Sequence, residues 1–224
     1  MSKIEQLTIK NMYSLEHTIA KAYLEELTYP WEALPHIKDY ILELGKNLSA
    51  EEYNQVSENV WVHKTAKVFD SAYIAGPTII GPETEVRQCA FIRGNALVGA
   101  NCVVGNSTEL KNVIIFDNVQ VPHYNYVGDS ILGYKAHMGA GSITSNVKSD
   151  KTLTTIKTPE GVIETGMKKV GAMLGDEVEV GCGSVLNPGT VIGKRTNIYP
   201  LSMVREFVPA NSIYKKRGEV VGKY

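Results

Sequence analysis

The stretch from Val62 to Leu110 reads VHKTAKVFDSAYIAGPTIIGPETEVRQCAFIRGNALVGANCVVGNSTEL and repeats its pattern every six residues. An aliphatic residue opens each of nine consecutive hexads, and a small residue follows four positions later in the first eight. The aliphatic positions are Val62, Val68, Ile74, Ile80, Val86, Ile92, Val98, Val104 and Leu110, and the small positions are Ala66, Ala72, Thr78, Thr84, Ala90, Ala96, Cys102 and Thr108. A period of six fits neither a helix nor a simple alternating strand, and it is the signature of a parallel β-helix. The sequence therefore predicts an all-β solenoid of triangular coils, with aliphatic residues inside and small residues at the corners.

The repeat continues beyond Leu110 with one interruption. Its register slips, recovers through Ile115, Val121, Val127, Leu132 and Met138, and becomes regular again at Leu174, Val180, Leu186, Ile192, Ile198 and Val204. Between the two runs lies an insertion over about residues 145–173. Its segments Thr152–Lys157 and Val162–Thr165 flank a Pro-Glu-Gly turn, which indicates a β-hairpin. Insertions in repeat proteins map to one face, commonly the binding face, so this loop is expected to be functional.

The sequence before the repeats differs in kind. Residues 1–55 show helical periodicity, with Ile19, Tyr23 and Leu27 on one face and a second helix between Pro35 and Gly45. We therefore expect a small N-terminal helical cap over 1–55, the β-helix over 56–208 and a C-terminal tail over 209–224. A cap or oligomer contact is favoured over a catalytic role for the helices, because they contain no glycine-rich phosphate loop.

Composition excludes several classes of protein. The net charge of −1 argues against a nucleic-acid or anionic-membrane partner. No apolar run reaches transmembrane length, and the N-terminus lacks the plan of a signal peptide. The three cysteines show no metal-ligand spacing, which favours a reducing cytoplasmic location, and Cys102 at a small-residue position is expected to serve packing.

Two cations mark a candidate binding face. Arg93 and Lys111 each directly follow an aliphatic repeat position, and they are eighteen residues apart, which is one complete coil. We expect one to lie above the other at the strand spacing of about 4.8 Å. Stacked cations repel unless an anion lies between or before them, and a phosphate is the natural candidate. The alternative is that they pair with Glu109 or other carboxylates; spacing alone leaves the two interpretations equally open.

The segment Val121–Asp129 departs from the small-residue rule, because Pro122 is followed by bulky side chains. His123 is the side chain here that exchanges a proton near neutral pH without a large pKa shift. It lies twelve residues beyond Lys111, which is two sides of a triangular coil. A hydrogen-bonded structural histidine is the alternative, but a cleft shared with Lys111 favours a catalytic role.

Three segments carry a resemblance to a known enzyme family. They are Gly105-Asn106-Ser107-Thr108-Glu109-Leu110-Lys111, Val121-Pro122-His123-Tyr124-Asn125-Tyr126-Val127-Gly128-Asp129 and Gly139-Ala140-Gly141-Ser142-Ile143-Thr144-Ser145-Asn146. Over about residues 60–208 the chain resembles the left-handed β-helix acetyltransferase half of bifunctional N-acetylglucosamine-1-phosphate uridyltransferase/glucosamine-1-phosphate N-acetyltransferase. It is also similar to the β-helix tails of related sugar-phosphate nucleotidyltransferases. The nucleotidyltransferase domain is expected to be absent, with only linker-like helices remaining.

The resemblance implies roles for individual residues. His123 is the general base that takes a proton from the sugar amine, and the substrate contacts are Arg93, Lys111, Tyr126, His137, Asn146 and Lys169. The contacts to acetyl-CoA are Ala140, Gly141, Cys182 and Tyr199. Acetyl-CoA is then the cosubstrate, the transfer requires no metal, and three chains form a homotrimer with sites between subunits. The sequence departs from the family at His137, where an asparagine is usual, at Val147, where a tyrosine is usual, and at Tyr199-Pro200, where small residues are usual.

Three functions remain open at this point. The first is an acetyl-CoA-dependent N-acetyltransferase acting on an amino-sugar 1-phosphate such as glucosamine 1-phosphate, in the supply of UDP-N-acetylglucosamine or another sugar nucleotide. The second is a non-catalytic trimeric β-helix that binds a sugar nucleotide or partners a separate nucleotidyltransferase. The third is a hexapeptide acyltransferase with another acceptor. Arg93, Lys111, His123 and Tyr126 together favour the first.

Overall fold

Short parallel strands stack into three flat faces around an aliphatic core in the computed structural model, which describes residues 2–223. Val62 lies beside Ile80, and Ile80 beside Val98, eighteen residues further along each time. The repeat residues of the inner coils, among them Ile80, Ile92 and Leu110, are fully buried. This confirms the parallel β-helix predicted from the hexads.

Each face is a continuous ladder of strands. The first face contains Val60–His63, Thr78–Ile80, Ala96–Val98, the end of Glu109–Ile115, the end of Tyr126–Leu132, Ala172–Leu174, Thr190–Ile192 and Phe207–Val208. The second face contains Lys67–Val68, Glu85–Val86, Val103–Asn106, Gln120–His123, His137–Met138, Glu179–Val180, Asn197–Ile198 and Ser212–Lys216. The third face contains Tyr73–Ile74, Phe91–Ile92, the start of Glu109–Ile115, the start of Tyr126–Leu132, Ile143–Thr144, Val185–Leu186 and Met203–Val204.

Two shortened coils explain the register slip after Leu110. Ile115 lies beside Val98, and Leu132 beside Ile115, seventeen residues further along in both cases. The missing residue is lost at the corner between the third and first faces, so one unbroken strand runs around that corner in each coil. Asn112 and Asp129 make these turns with φ angles of 56° and 47°. Asn and Asp tolerate this left-handed conformation better than most residues.

The insertion leaves the β-helix after the third face and returns to the first. Leu132 pairs with Leu174, forty-two residues further along. The hairpin strands are Thr155–Thr158 and Gly161–Glu164, paired antiparallel, so the predicted hairpin is present with slightly different bounds. Its Ile156 side chain is fully buried, which anchors the hairpin to the rest of the protein.

The N-terminal region covers the first face rather than an end of the β-helix. It contains α-helices at Ile9–Met12, Lys21–Leu24 and Ile37–Lys46 and 3-10 helices at Glu5–Leu7, Leu15–His17 and Pro30–His36. On the first face Ile79, Leu97 and Ile114, which alternate with the inward repeat residues, are also fully buried. A sheet buried on both sides is built from continuous apolar runs.

No helix within residues 2–223 is both long and apolar enough to cross a bilayer.

The two boundaries of the β-helix lie outside the expected 56–208. Tyr53–Ser57 already pairs antiparallel with Val60–His63. At the other end Ser212–Lys216 pairs parallel with Asn197–Ile198, and Glu219–Gly222 folds back on it antiparallel. The expected tail is therefore structured, because Tyr214 takes an inward repeat position and is 5% exposed.

Candidate active site

A nearly buried carboxylate organises the corner between the third and first faces. Asp129 accepts from the Lys111 ammonium at 3.0 and 3.2 Å and from the Asn112 amide at 2.9 Å. The Asn146 amide donates to Oδ2 of the same Asp129 carboxylate, whereas the Asn112 amide donates to Oδ1. The side chain of Asp129 is 5% exposed and that of Lys111 25%. Four hydrogen bonds from three donors therefore hold this charge in place, as burial of an ionised group requires.

The stacking predicted for Arg93 and Lys111 is confirmed by the register of their strands, since Leu110 lies beside Ile92. Each cation is also paired with a carboxylate: Arg93 binds Glu109 at 2.7 Å, and Lys111 binds Asp129. The alternative of carboxylate partners therefore holds for both residues. The hydrogen bond and charge of Glu109 raise the pKa of the Arg93 guanidinium above its usual value. A phosphate contact stays a prediction.

Tyr126 lies on the third face directly beside Glu109. Its hydroxyl accepts a hydrogen bond from the Asn146 amide at 3.2 Å. Burial, followed by the charges of Asp129 and Glu109, raises the pKa of the Tyr126 hydroxyl. Gly128 leaves the necessary space, because a Cβ there would lie 2.4 Å from that hydroxyl oxygen. The Tyr126 hydroxyl therefore lies at the edge of the group formed by Asp129, Lys111, Asn112 and Asn146, which is called the Asp129 cluster below.

Lys169 returns to this region at the end of the insertion. It forms an antiparallel bridge with Val147, and the Val170 N–H donates to the Asn146 carbonyl at 3.1 Å. Lys169 itself is exposed. The structure therefore brings Lys169 next to Asn146, although twenty-two residues separate them in the sequence.

His123 lies at the other edge of the third face, at the corner that the second face leads into. The buried Asn125 side chain accepts from the His123 N–H at 3.1 Å and donates to the Gly139 and Ser142 carbonyls at 2.9 and 3.1 Å. Asn125 therefore ties His123 to the Gly139–Ser142 corner of the next coil. The His123 side chain points outward and is exposed, as a proton-transfer group must be to meet a substrate.

The residues assigned to acetyl-CoA form a column above His123. Gly141 donates to the His123 carbonyl at 3.0 Å, Gly183 to the Ala140 carbonyl at 2.8 Å and Leu201 to the Cys182 carbonyl at 2.9 Å. His123, Ala140 and Cys182 thus occupy successive coils of one corner, and this column is called the corner ridge below. Tyr199 lies next to the corner ridge, at the end of a second-face strand, and is 45% exposed. Its N–H donates to the Tyr214 carbonyl at 2.9 Å.

His137 lies apart from the other candidate residues. It sits in the middle of the second face, in register with Gln120 and Glu179. Its Nδ1 lies 2.8 Å from a Glu179 carboxylate oxygen. The structure does not bring it to the Asp129 cluster within one chain, and its contact with a sugar stays a prediction.

Sequence reasoning named no role for Asp129 or Asn125, which organise the two edges of the third face. The signal for Asp129 was the register slip. In a seventeen-residue coil Lys111 lies beside Gly128, which moves Asp129 to the corner within reach of the ammonium. Asn125 occupies a small-residue position of its repeat, and a polar residue buried there to 2% needs hydrogen-bond partners.

The fold and these side chains define a hexapeptide-repeat β-helix with polar residues at both edges of one open face. Residues 74–196, which are 123 of the 224, match the family profile described as the GMPPB C-terminal domain. The chain belongs to this family.

Several curated proteins are similar along most of the chain. The bifunctional protein GlmU of Methanococcus maripaludis strain C5 is 31% identical over 201 residues, which cover 89% of this chain and 49% of that protein. The putative uncharacterized acetyltransferase YaiX of Escherichia coli K12 is 28% identical over 85% of this chain and 88% of that protein. The chain thus spans about half the length of the GlmU relatives it matches.

Two solved structures match part of the chain at low identity and low TM-score. A hexapeptide transferase family protein from Anaplasma phagocytophilum is 15% identical and covers 74% of this chain and 80% of its own, with a TM-score of 0.40. PerB from Caulobacter crescentus, solved with CoA and GDP-perosamine, is 17% identical over 69% of this chain and 52% of its own, with a TM-score of 0.36.

Proposed function

We propose that this protein transfers the acetyl group of acetyl-CoA to the amine of an amino-sugar phosphate, with glucosamine 1-phosphate as the first candidate. One observation carries the proposal. The open third face has an exposed histidine at one edge, next to the corner ridge, and a cluster of phosphate-binding side chain types at the other. Relatives named as acetyltransferases support the same chemistry. The product would enter sugar-nucleotide synthesis.

The His123 imidazole acts as the general base. It removes a proton from the sugar ammonium, and the free amine then attacks the carbonyl carbon of the thioester. A positioned base of this kind contributes typically about 10²–10⁴-fold to the rate. The tetrahedral intermediate loses the second proton of its nitrogen to solvent and collapses by breaking the carbon–sulfur bond, and the departing thiolate of coenzyme A takes up the proton that His123 removed.

The developing oxyanion needs a backbone donor at the corner ridge. The Gly141 N–H already donates to the His123 carbonyl, and the Ser142 N–H to the Gly139 carbonyl. The Ala140 N–H, which comes directly before these two donors in the sequence, lies in neither hydrogen bond, and we assign the oxyanion contact to it. Ala140 lies one coil above His123.

The paired cations still have donors for a phosphate. An ammonium carries three N–H groups, and a guanidinium five. Lys111 directs its ammonium at one carboxylate, and Arg93 uses one nitrogen to bind Glu109. A phosphate placed before the third face could accept from both cations and from Tyr126. The carboxylates keep the two stacked cations from repelling each other before substrate binds.

We propose that the third face is also where copies of this chain meet as a homotrimer. Its outward positions include Tyr73, Phe91 and Met203, which are 60%, 42% and 48% exposed. Tyr73 and Phe91 are in ring contact with centroids 5.7 Å apart. Exposed apolar side chains in line with polar site residues are typical of a protein interface. Assembly here would bring the corner ridge of one subunit towards the third face of another.

The proposal is tested by thiol release from acetyl-CoA with glucosamine 1-phosphate as acceptor. We expect turnover by the natural protein and a loss of about 10²–10⁴-fold in kcat for His123→Ala. His63→Ala is the matched control, because His63 lies in the first coil and bonds only its neighbour Thr65. Turnover that survives in His123→Ala would refute the assigned base. Absence of turnover with every amino-sugar phosphate, while one of them binds, would favour the non-catalytic binding protein.

A further inference from the structure

A polar cavity lies beside the segment that carries Asn146 and has no part in the mechanism described so far. Its volume is about 510 Å³. Five segments enclose it: the first residues of the insertion, the hairpin, two successive coil corners and the C-terminal hairpin. The charged side chains that line it are Lys148, Lys157, Arg205, Arg217, Asp150 and Glu206.

The charges around this cavity are unbalanced. Lys148 and Asp150 bind each other at 3.6 Å, and both also bind Thr152. Within residues 2–223, no carboxylate lies within 4.0 Å of the charged nitrogens of Lys157, Arg205 or Arg217. Glu206 also lines the cavity, so these three cations face one carboxylate outside the Lys148–Asp150 pair and leave a surplus of positive charge. Cations gathered around one space repel each other, and an anion placed between them removes that cost.

The hairpin wall of the cavity is fixed in position. Gly189, which lines the cavity, has a φ of 77°, and a Cβ there would lie 2.8 Å from the Thr155 carbonyl oxygen. Its N–H donates to the Val170 and Gly171 carbonyls at 3.1 and 2.9 Å. The neighbouring Ile156 is fully buried. These contacts hold the hairpin wall of the cavity, which carries Lys157, against the coil corner at Gly189.

The cavity adjoins the candidate active site through the segment around Asn146. Ser145 and Val147 line it, and they flank Asn146, whose amide donates to Tyr126 and Asp129. Val147, 41% exposed, and Pro188 add apolar surface to the lining. A ligand could thus place a reacting group before the third face and a bulky anionic group in the cavity.

We infer that this cavity binds the nucleoside diphosphate group of a substrate. Three free cations suit a diphosphate, the apolar side chains suit a nucleoside, and the volume falls in the range of about 300–1,000 Å³ that small-molecule sites occupy. The inference rests on the proposed function for the source of the group, because both acetyl-CoA and a nucleotide-linked amino sugar carry one. A nucleotide-linked acceptor would make this protein act after the nucleotide is attached.

Titration calorimetry with UDP, GDP and coenzyme A tests the inference without any turnover. The test variant is Lys157→Gln/Arg205→Gln, and both side chains are exposed. The matched control is Lys151→Gln/Lys216→Gln, which removes two exposed lysines from the insertion and the C-terminal hairpin outside the cavity. We expect the test variant to raise Kd about 100-fold for at least one ligand, about tenfold for each cation, and the control to leave Kd unchanged.

The ligands distinguish the two sources. If Kd rises only for UDP or GDP, the cavity binds a nucleotide-linked acceptor. If Kd rises only for coenzyme A, the cavity binds the acetyl donor. Either result supports the inference. Equal Kd values in the test and control variants, or no binding of any of the three ligands, would overturn it. Turnover of glucosamine 1-phosphate that depends on His123 would stand in that case, so the two proposals fail separately.

Discussion

The coils between Val62 and Leu110 and the coils between Leu110 and Leu174 belong to one β-helix but are built differently. The first set advances by eighteen residues per coil without exception. The second set advances twice by seventeen and once by forty-two. The regular coils carry Arg93 and Glu109, and the irregular coils carry Lys111, His123, Asp129 and Asn146.

A solenoid can hold a nearly buried ion pair where its register slips. In a regular coil each residue stacks on the same position of the next coil. One deleted residue shifts the corner, and Asp129 then approaches Lys111 and Asn112 rather than stacking on a repeat position. The insertion adds a further side chain at the same corner through the bridge between Val147 and Lys169.

The largest effect concerns stability and compares an inner, irregular coil with the first, regular coil. Leu132→Ala removes a fully buried side chain from the irregular coil, while Val68→Ala trims a repeat residue of the first coil that is 37% exposed. We expect losses in the free energy of unfolding of about 2–5 kcal/mol for Leu132→Ala and about 1 kcal/mol for Val68→Ala. Urea unfolding at one protein concentration measures both. A larger loss for Val68→Ala would mean that the first coil is packed more tightly than the irregular coil.

A smaller effect compares the two ion pairs of the site. Asp129→Asn keeps the left-handed backbone but leaves the Lys111 ammonium without a carboxylate in a pair whose side chains are 25% and 5% exposed. We expect it to lower the free energy of unfolding by about 2 kcal/mol. Glu109→Gln breaks the pair of Arg93, whose side chains are 47% and 31% exposed, and should cost less than about 1 kcal/mol. Equal losses in urea unfolding would show that burial does not distinguish the two pairs.

The smallest effect concerns the three thiols. Burial raises the pKa of Cys102 to about 12, so this thiol stays protonated at mildly alkaline pH and should react with iodoacetamide only after unfolding. Cys89 and Cys182 are exposed. Coenzyme A should slow the modification of Cys182 on the corner ridge but not that of Cys89 in a regular coil. Mass spectrometry of the labelled peptides measures both rates, and equal protection of the two would contradict the placement of coenzyme A.

The hexads predicted the fold because a period of six specifies the inward positions one by one. Ile80, Ile92 and Leu110 are buried as the pattern requires, and the same period stacked Arg93 beside Lys111. Even the slip after Leu110 was visible as a shift in the aliphatic positions. These features follow from residues that recur at a fixed spacing of six, and a sequence shows that spacing directly.

Contacts between distant segments could not be predicted in the same way. Arg205 and Arg217 meet Lys157 around one cavity although the three lie in different segments. Tyr214 reads as part of a tail because an aromatic residue breaks the aliphatic pattern, yet it closes the last coil. The sequence shows neither the direction in which the hairpin folds nor the place where the N-terminal helices pack.

A crystal structure with glucosamine 1-phosphate and coenzyme A would show whether the irregular coils bind the reacting groups. We expect a phosphate within hydrogen-bond distance of Lys111, an amine that faces His123, and coenzyme A along Ala140 and Cys182. Ligands bound against the regular coils below Leu110, away from these side chains, would contradict this expectation.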